Sequence, residues 1–303
     1  MITIEQRAEF RKHFRNNIQS RLATDKIVKG IVFGCVALAI VPLGSILLEV
    51  IRNGVPALSL DFFIQPPGAV GSDQPGGIGP AIQGTLMLIG MSSLIGVPVG
   101  VLGGIFLSEY GNNRFGNAIR FFNDVLAEFP TIVIGLFAFV MIVLVFGNFS
   151  IVAGMFALSI IMLPIITRTT EESLKLVPVT YREAGYALGI KRSIVIFRIL
   201  LTSAKSGLVT GIMLAVARIG GETAPLIFTI LGSSDFFTGF DQPMDALSLR
   251  IWRLSLLPYD TATAQGWGAA LVLILIVLTL NVGMRYLFLR KRGGSRFRVT
   301  TGR

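Results

Sequence analysis

Charged side chains are scarce in this sequence of 303 residues, since they make up 15% while hydrophobic residues make up 52%. A soluble domain of this size carries about 25% charged residues. There is one cysteine, Cys35, and one histidine, His13. One cysteine excludes an internal disulfide. The one histidine lies in the charged N-terminal segment, so no Cys/His metal cluster or Ser-His-Asp set is available. The composition therefore favours a membrane protein and argues against an enzyme.

Cys35 admits two interpretations. Gly34-Cys35 weakly resembles a lipoprotein cleavage site, but Phe33 is bulky for that motif and few apolar residues precede the cysteine. We therefore expect an ordinary cysteine within a helix rather than a lipid attachment site.

Long apolar stretches occupy much of the chain. A helix needs about 20 mostly apolar residues to cross a bilayer. Six stretches reach or approach that length: 30–48, 82–107, 129–149, 151–167, 206–231 and 267–289. A tight turn at Gly147-Asn148 separates the third from the fourth, and Arg218 and Glu222 interrupt the fifth. The sequence predicts an all-α membrane protein with six transmembrane helices.

Basic residues are concentrated in alternate connecting segments. Seven lie in 1–29, two in 108–124, seven in 168–205 and seven in the tail from Arg285, together 23 of the 27. The positive-inside rule places these segments and both termini in the cytoplasm. This distribution accounts for the net charge of +10 without a nucleic-acid partner.

The predicted organisation follows from the spans and the charges. We expect a cytoplasmic N-terminal segment (1–29), a first transmembrane anchor helix (30–51), a periplasmic loop (52–81), a core transmembrane domain (82–289) and a cytoplasmic tail (290–303). The N-terminal segment is either an amphipathic helix, with Phe10, Phe14 and Ile18 on one face, or a solvated tail.

The cytoplasmic loop 168–205 carries a helical pattern. Thr169-Thr170-Glu171-Glu172 is a plausible helix start, and the residues at 183–188 favour a short helix that Gly189 can end. A helical pattern resumes between Lys191 and Leu201. A short helix of this kind is suited to insertion into the groove of a partner protein.

This loop resembles the signature of ATP-binding-cassette (ABC) importer permeases, which reads Glu-Ala-Ala, three residues, Gly, nine residues and Ile-x-Leu-Pro. The residues at the signature positions are Glu183, Ala184, Gly185, Gly189, Ile199 and Leu201. Gly185 replaces the second Ala, and Thr202 replaces the Pro. The resemblance implies a type I ABC importer permease fold, in which the loop is the coupling helix that seats in a cleft of the ATPase subunit. The alternative is an ordinary basic amphipathic loop.

A nucleotide-binding motif is absent from the sequence. No G-x-x-x-x-G-K-[ST] stretch, which would cradle nucleotide phosphates, occurs in it. We therefore expect ATP to be bound and hydrolysed by another polypeptide, and no cofactor on this chain.

Arg218 and Glu222 lie inside an apolar stretch, where a charge costs about 2.5–3.5 kcal/mol on insertion scales. Such residues face a cavity or a partner. Their spacing of four places both on one helix face, and Gly220-Gly221 between them allows close approach. Two interpretations stay open, which are compatible: Arg218 contacts an anion in transit, with Glu222 orienting it, or the two form a structural ion pair.

One longer stretch narrows the family. It closely resembles the A-type permease of the phosphate-specific (Pst) ABC importers, and it reads Ala217-Arg218-Ile219-Gly220-Gly221-Glu222-Thr223-Ala224-Pro225-Leu226. Similarity to this family covers about 54–231, with weaker support beyond that range. The resemblance implies a phosphate importer in the bacterial inner membrane. Its partners would be a C-type sister permease, two ATP-binding subunits and a periplasmic phosphate-binding protein on 52–81 and 232–266.

Other functions remain to be weighed against this resemblance. A permease for another oxyanion, such as sulfate, molybdate or phosphonate, is the main alternative. A membrane-embedded enzyme is disfavoured, because His13 is the only histidine. A role in reporting phosphate status to a sensor kinase is allowed by the resemblance, although no residue displays it.

Overall fold

The computed structural model describes residues 4–68 and 76–289, and the ordered elements in them are helical. The chain divides into two compact units, Met1–Arg52 and Asn53–Arg303. Most of the first unit is a single helix, α1 (Ile4–Gly54), whose apolar side chains from Ile27 onward are mostly exposed. Helix α1 thus includes the predicted anchor and most of segment 1–29. The side chains of its first turns lie outside the described part. The predicted tail 290–303 also lies outside it.

The second unit contains the remaining helices. A 3₁₀ turn (Val55–Ala57) precedes them, and π-helical turns occur at Phe139–Val143 and Val195–Leu200. The helices are α2 (Leu60–Ile64), α3 (Gly79–Glu109), α4 (Arg114–Glu128), α5 (Thr131–Ala138), α6 (Leu144–Phe146), α7 (Ile151–Lys175), α8 (Val179–Ala187), α9 (Arg192–Ile194), α10 (Leu201–Gly220), α11 (Ala224–Thr229), α12 (Leu247–Ser255) and α13 (Asp260–Leu289).

Within the described residues, five helical stretches are long and apolar enough to cross a bilayer. They are Thr24–Ala57, Gly79–Glu109, Ile151–Lys175, Arg192–Gly220 and Asp260–Phe288. A sixth span is present if α4 and the stretch Thr131–Phe146, which meet at 102°, are counted together. The bend lies at Phe129-Pro130, because the residue before a proline is sterically disfavoured in a helix. The predicted third span, 129–149, is therefore shorter than expected. It follows directly after α4, and the bend lies between the two helices.

Two further boundaries differ from the sequence prediction. The stretch 169–172 does not begin a helix, because it lies inside α7, which continues to Lys175. Glu171 there bonds to Arg120 at 2.7 Å and Lys175 at 2.6 Å, so its carboxylate joins helices rather than starting one. The predicted span 206–231 is also wrong at its end, since α10 stops at Gly220.

Turn glycines were predicted correctly. Gly147 and Gly189 have φ of +79° and +70°, a left-handed conformation that only glycine adopts without strain. Gly147 separates α6 from α7, and Gly189 follows the end of α8.

Glycines of α3 form the contact with α7, and the core of this unit lies around these two helices together with α10 and α11. Gly96, Gly100 and Gly104 recur every fourth residue on one helix face. Added β-carbons there would lie 3.2 Å from Met162, 2.8 Å from Ile166 and 2.5 Å from Thr170. Small residues at this spacing let two helices approach closely, as is typical of membrane bundles.

The close approach predicts an unequal response to two alanine substitutions in α3. Gly104→Ala should destabilise the protein by about 1–3 kcal/mol, because the added carbon would overlap Thr170. Gly90→Ala is the matched control, since no atom lies within 4 Å of its β-carbon position. Helix propensity alone favours alanine by about 0.5–1 kcal/mol at both positions. Thermal unfolding in detergent should show a lower midpoint only for Gly104→Ala, and equal midpoints would contradict this packing.

Candidate anion path and coupling surface

The helix break beside the intramembrane charges is short and ordered. Helix α10 ends at Gly220, and residues 221–223 separate it from α11. The first two of these donate their backbone N–H groups to the carbonyls of Arg218 and Ile219, at 3.2 and 3.3 Å. Pro225 occupies the first turn of α11, where its missing N–H has no intrahelical partner to lose. The proline therefore begins a new helix.

Arg218 and Glu222 are brought together across this break. Arg218 Nε lies 3.6 Å from Glu222 Oε1, which is an ion pair but longer than an ordinary hydrogen bond. The Arg218 side chain is 46% exposed and that of Glu222 is 15% exposed. The expectation that one helix face holds both is wrong, because Glu222 lies beyond the end of α10. A cation in the last turn of α10 also complements the helix dipole.

The segment that follows α11 packs over the break. Ser248 Oγ, in the first turn of α12, donates a hydrogen bond to the backbone carbonyl of Glu222 at 2.7 Å. The backbone N–H of Leu247 donates to Thr85 Oγ1 of α3 at 2.9 Å. A β-carbon at Gly84 would overlap the carbonyl oxygen of Asp245, so only glycine permits this approach. The break is thus held between α12 and the N-terminal part of α3.

A buried ion pair fixes the same segment. Arg250 Nε donates to Asp245 Oδ2 at 2.5 Å, and its Nη2 donates to the carbonyl of Ser233 at 3.1 Å. Asp245 is fully buried, and this burial raises the pKa of its carboxyl although Arg250 opposes the rise. Next to it, Leu231 adopts a φ of +58°, which is unfavourable for a branched side chain. Arg253 donates to the Leu231 carbonyl and so supports that turn.

The predicted coupling residues form a second site. Helix α8 includes Glu183, Ala184 and Gly185, while Gly189 follows its end. Gly185 is buried, and a β-carbon there would lie 2.8 Å from Val195 Cγ2 and 3.6 Å from Ile199 Cδ1. This contact explains why glycine stands where alanine is usual.

The opposite face of α8 is exposed and mixes acidic with apolar groups. Glu183 and Ala184 are exposed on it. Large apolar side chains in α8 and in the residues on either side of it are also exposed, and these are Leu176, Val179, Tyr181, Tyr186 and Leu188. Ile199 is half-buried behind the helix, and so is Leu201 at the start of α10. An exposed apolar face flanked by a carboxylate is suited to docking against another protein.

The sequence did not predict an ion pair that joins the buried side of α8 to α3. Arg182 Nε and Nη2 donate to Glu109 Oε1 of α3, at 3.0 and 2.8 Å. Glu109 is 5% exposed and Arg182 is 17% exposed. The two residues are 73 positions apart, so no local pattern in the sequence connects them. The only indication in the sequence was that Glu109 and Arg182, which have opposite charges, stand at the ends of two predicted helices.

The two sets of site residues lie far apart along one helix. Leu201 begins α10 and Arg218 lies in its last turn. Arg218 is seventeen positions after Leu201 in this α-helix, and at about 1.5 Å per residue this is about 25 Å. Leu201, one of the predicted coupling residues, and the charged pair therefore lie at opposite ends of α10.

Comparison with known proteins places these sites in a family. Residues 96–293 match the family described as binding-protein-dependent transport system inner membrane component. This range contains α7, α8 and α10, and thus both sets of site residues.

Relatives match over nearly the whole chain. The phosphate transport system permease protein PstA of Haemophilus influenzae is 40% identical over 273 residues, which cover 90% of this chain and 96% of the relative. The probable PstA of Methanocaldococcus jannaschii is also 40% identical, with 88% and 94% covered. PstA 1 of Mycobacterium tuberculosis is 34% identical, with 92% and 94% covered.

Solved structures show the same fold at low sequence identity. A chain of the MetNI methionine ABC transporter, in inward-facing conformations, has a TM-score of 0.54 at 18% identity, with 70% of this chain and 92% of that chain covered. A chain of a bacterial ABC transporter involved in the import of alginate has a TM-score of 0.55 at 18% identity, with 91% and 99% covered. The fold is therefore that of the type I ABC importer permeases. The chain is a multi-pass inner membrane protein, and it belongs to the PstA family of phosphate transport system permease proteins.

Proposed function

We propose that this chain is the permease subunit of an ATP-driven importer of inorganic phosphate, with Arg218 on the anion path and α8 as the coupling helix. The observation that carries the proposal is the placement of Arg218. It is a half-exposed guanidinium in the last turn of an apolar helix, beside a non-helical segment. The relatives named for phosphate transport support the choice of anion.

The chemistry of the site suits phosphate. A guanidinium offers a planar fork of donors that matches two phosphate oxygens. At a separation of 3.6 Å, the opposite charges of Arg218 and Glu222 attract each other but do not form a tight hydrogen bond. An arriving anion can therefore compete for the guanidinium, and the nearby carboxylate then favours its release. Gly221, exposed and without a neighbouring side chain within 4 Å, leaves space for this exchange.

An external energy source follows from the charge of the cargo. Phosphate entering a cell works against a membrane potential that is negative inside, at about 2.3 kcal/mol per charge for each 100 mV. Each tenfold concentration gradient adds about 1.4 kcal/mol. Since the sequence contains no nucleotide-binding loop, the work would reach this chain through the exposed face of α8.

The proposed assembly follows the family resemblance. A C-type sister permease would complete the path within the lipid bilayer. Two ATP-binding subunits would complete the assembly, and one of them would receive α8 in its cleft. A periplasmic phosphate-binding protein would dock on the segments 52–81 and 232–266, of which residues 69–75 lie outside the described part. A phosphate-sensing kinase pathway remains a further partner to test.

Uptake of labelled phosphate by proteoliposomes that contain the complete complex tests the function. We expect uptake that requires ATP and the phosphate-binding protein. Sulfate, molybdate and phosphonate are offered as competitors in excess. If one of them displaces phosphate and is itself transported faster, the chain is a permease for that oxyanion instead.

Sidedness gives a separate prediction. Leu60 and Leu188 are 77% and 78% exposed, and we place them on opposite sides of the membrane. In a variant with Cys35 replaced by serine, Leu60→Cys should react with an impermeant maleimide added outside intact cells. Leu188→Cys lies where we place the ATPase, so it should react only in inverted vesicles from cells that express this chain without the ATPase. Gly185, which lies in the same loop, is buried and would be a poor labelling site. Reaction of both cysteines from one side would overturn the proposed topology.

A further inference from the structure

Helix α8 is attached to the end of α3 on its buried side. Arg182 donates to the Glu109 carboxylate through two nitrogens, at 3.0 and 2.8 Å. The same guanidinium donates to the carbonyls of Val177 and Leu174, at 3.0 and 3.1 Å. One side chain therefore joins α8, the end of α7 and the end of α3. Charge-assisted hydrogen bonds of this kind are stronger and more directional than neutral ones.

A second arginine, which follows α8 in the chain, contacts the same end of α3. Arg192 Nη2 donates to the backbone carbonyl of Glu109 at 2.5 Å. Its guanidinium also lies over the ring of Tyr110, 4.0 Å from the ring centre. Cations near the last carbonyls of a helix are favoured by its dipole. The exposed stretch of α8 is thus bracketed by two arginines that hold one residue, Glu109.

Helix α3 connects this end with the region of the helix break. It has 31 residues, which at about 1.5 Å per residue gives about 46 Å. Pro98 removes one of its backbone hydrogen bonds, but Gly96 and Gly100 pack against α7 on either side of it. Near its other end, Thr85 accepts a hydrogen bond from Leu247.

The contacts continue from there to the charged pair. Leu247 is followed by Ser248, which bonds to the carbonyl of Glu222. A chain of packed and hydrogen-bonded elements therefore runs from α8 through α3 and the first turn of α12 to the break that holds Arg218. Coupling between distant sites can travel through contiguous packed and hydrogen-bonded elements of this kind.

We propose that Arg182 and Arg192, acting on Glu109, are positioning residues that transmit movement of α8 along α3 to the break beside Arg218. This inference rests on the proposed function, because it assumes that α8 receives movement from an ATPase. To that function it adds α3 as the helix that carries the movement, and the arginines that attach α8 to it.

The test measures how many phosphate ions enter for each ATP hydrolysed. Three variants are reconstituted with the complete complex: Glu109→Gln, Arg182→Lys and the double variant that carries both substitutions. Glu109→Gln keeps the shape and an acceptor oxygen, and Arg182→Lys keeps the charge but loses the fork. Arg168→Gln is the control, an exposed arginine of α7 that pairs with Asp124 and Glu172 and contacts neither α3 nor α8 through those bonds.

We expect the single variants to co-purify with the ATPase and to hydrolyse ATP, while phosphate entry per ATP falls by at least about fivefold, the lower end of typical coupling between sites. The double variant should lose little more than either single variant, since the residues act as one pair. Arg168→Gln should keep the wild-type ratio.

Two results would overturn the inference. One is an unchanged ratio of phosphate to ATP in any variant that assembles. The other is a loss of assembly in all three variants, which would make the pair a folding element. In either case phosphate uptake by the wild-type complex would leave the proposed function standing. Absence of phosphate uptake by the wild-type complex would instead refute that function.

Discussion

Replacement of Arg218 by alanine is expected to remove most phosphate uptake while the complex still assembles. Two unit charges about 4 Å apart attract by about 1 kcal/mol in water and about 4 kcal/mol at an effective dielectric constant of about 20. Arg218 is 46% exposed, so its environment lies between these limits. Loss of this attraction corresponds to a reduction in anion affinity of about fivefold to about a thousandfold.

Two companion variants separate anion contact from a structural ion pair. Arg218→Lys keeps the charge but not the planar fork, so uptake should be intermediate. Glu222→Gln leaves the guanidinium without its 3.6 Å partner. If Arg218 contacts the anion, Glu222→Gln should bind phosphate more tightly and release it more slowly. If the pair is only structural, Glu222→Gln and Arg218→Ala should have the same effect.

The measurement is initial uptake of labelled phosphate in proteoliposomes of equal protein content. Assembly is checked by co-purification of the ATPase, and stability by thermal unfolding in detergent. Wild-type uptake by an assembled Arg218→Ala complex would end the assignment of Arg218 to the anion path.

The sequence predicted those features that depend on neighbouring residues. The ends of helices at Gly147 and Gly189 could be foreseen, because a left-handed backbone there requires glycine. The short helix α8 was predicted from its composition and is present at Val179–Ala187. The sequence showed that Arg218 and Glu222 interrupt the fifth apolar stretch, but it did not predict that α10 ends at Gly220.

Features that depend on distant residues could not be predicted. Glu171 was interpreted as part of a helix start, a position at which acidic residues are favoured. In the structure it pairs with Arg120, 51 positions earlier. The apolar run after Phe129 was long enough to suggest a full span, but Pro130 places a bend at its start.

The second large effect is expected from Glu183→Lys on α8. Glu183 is exposed on the face that also presents Tyr186 and Leu188, and we place the ATPase there. A carboxylate at a docking surface favours a cationic group on the partner, and reversing its sign creates repulsion. Like-charge contacts across an interface cost several kcal/mol, so affinity for the ATPase should fall by roughly a hundredfold or more.

Glu172→Lys is the matched control for this substitution, since it makes the same change of charge at a carboxylate with a 61% exposed side chain on α7 rather than α8. Both variants are purified through a tag on this chain, and the retained ATPase is quantified at low and high salt. Glu183→Lys should lose the ATPase, whereas Glu172→Lys should retain it. Because Glu183 is solvent-exposed in the isolated chain, its replacement should leave the thermal unfolding of this subunit unchanged. Equal retention of the ATPase by both variants would show that the docking surface does not include Glu183.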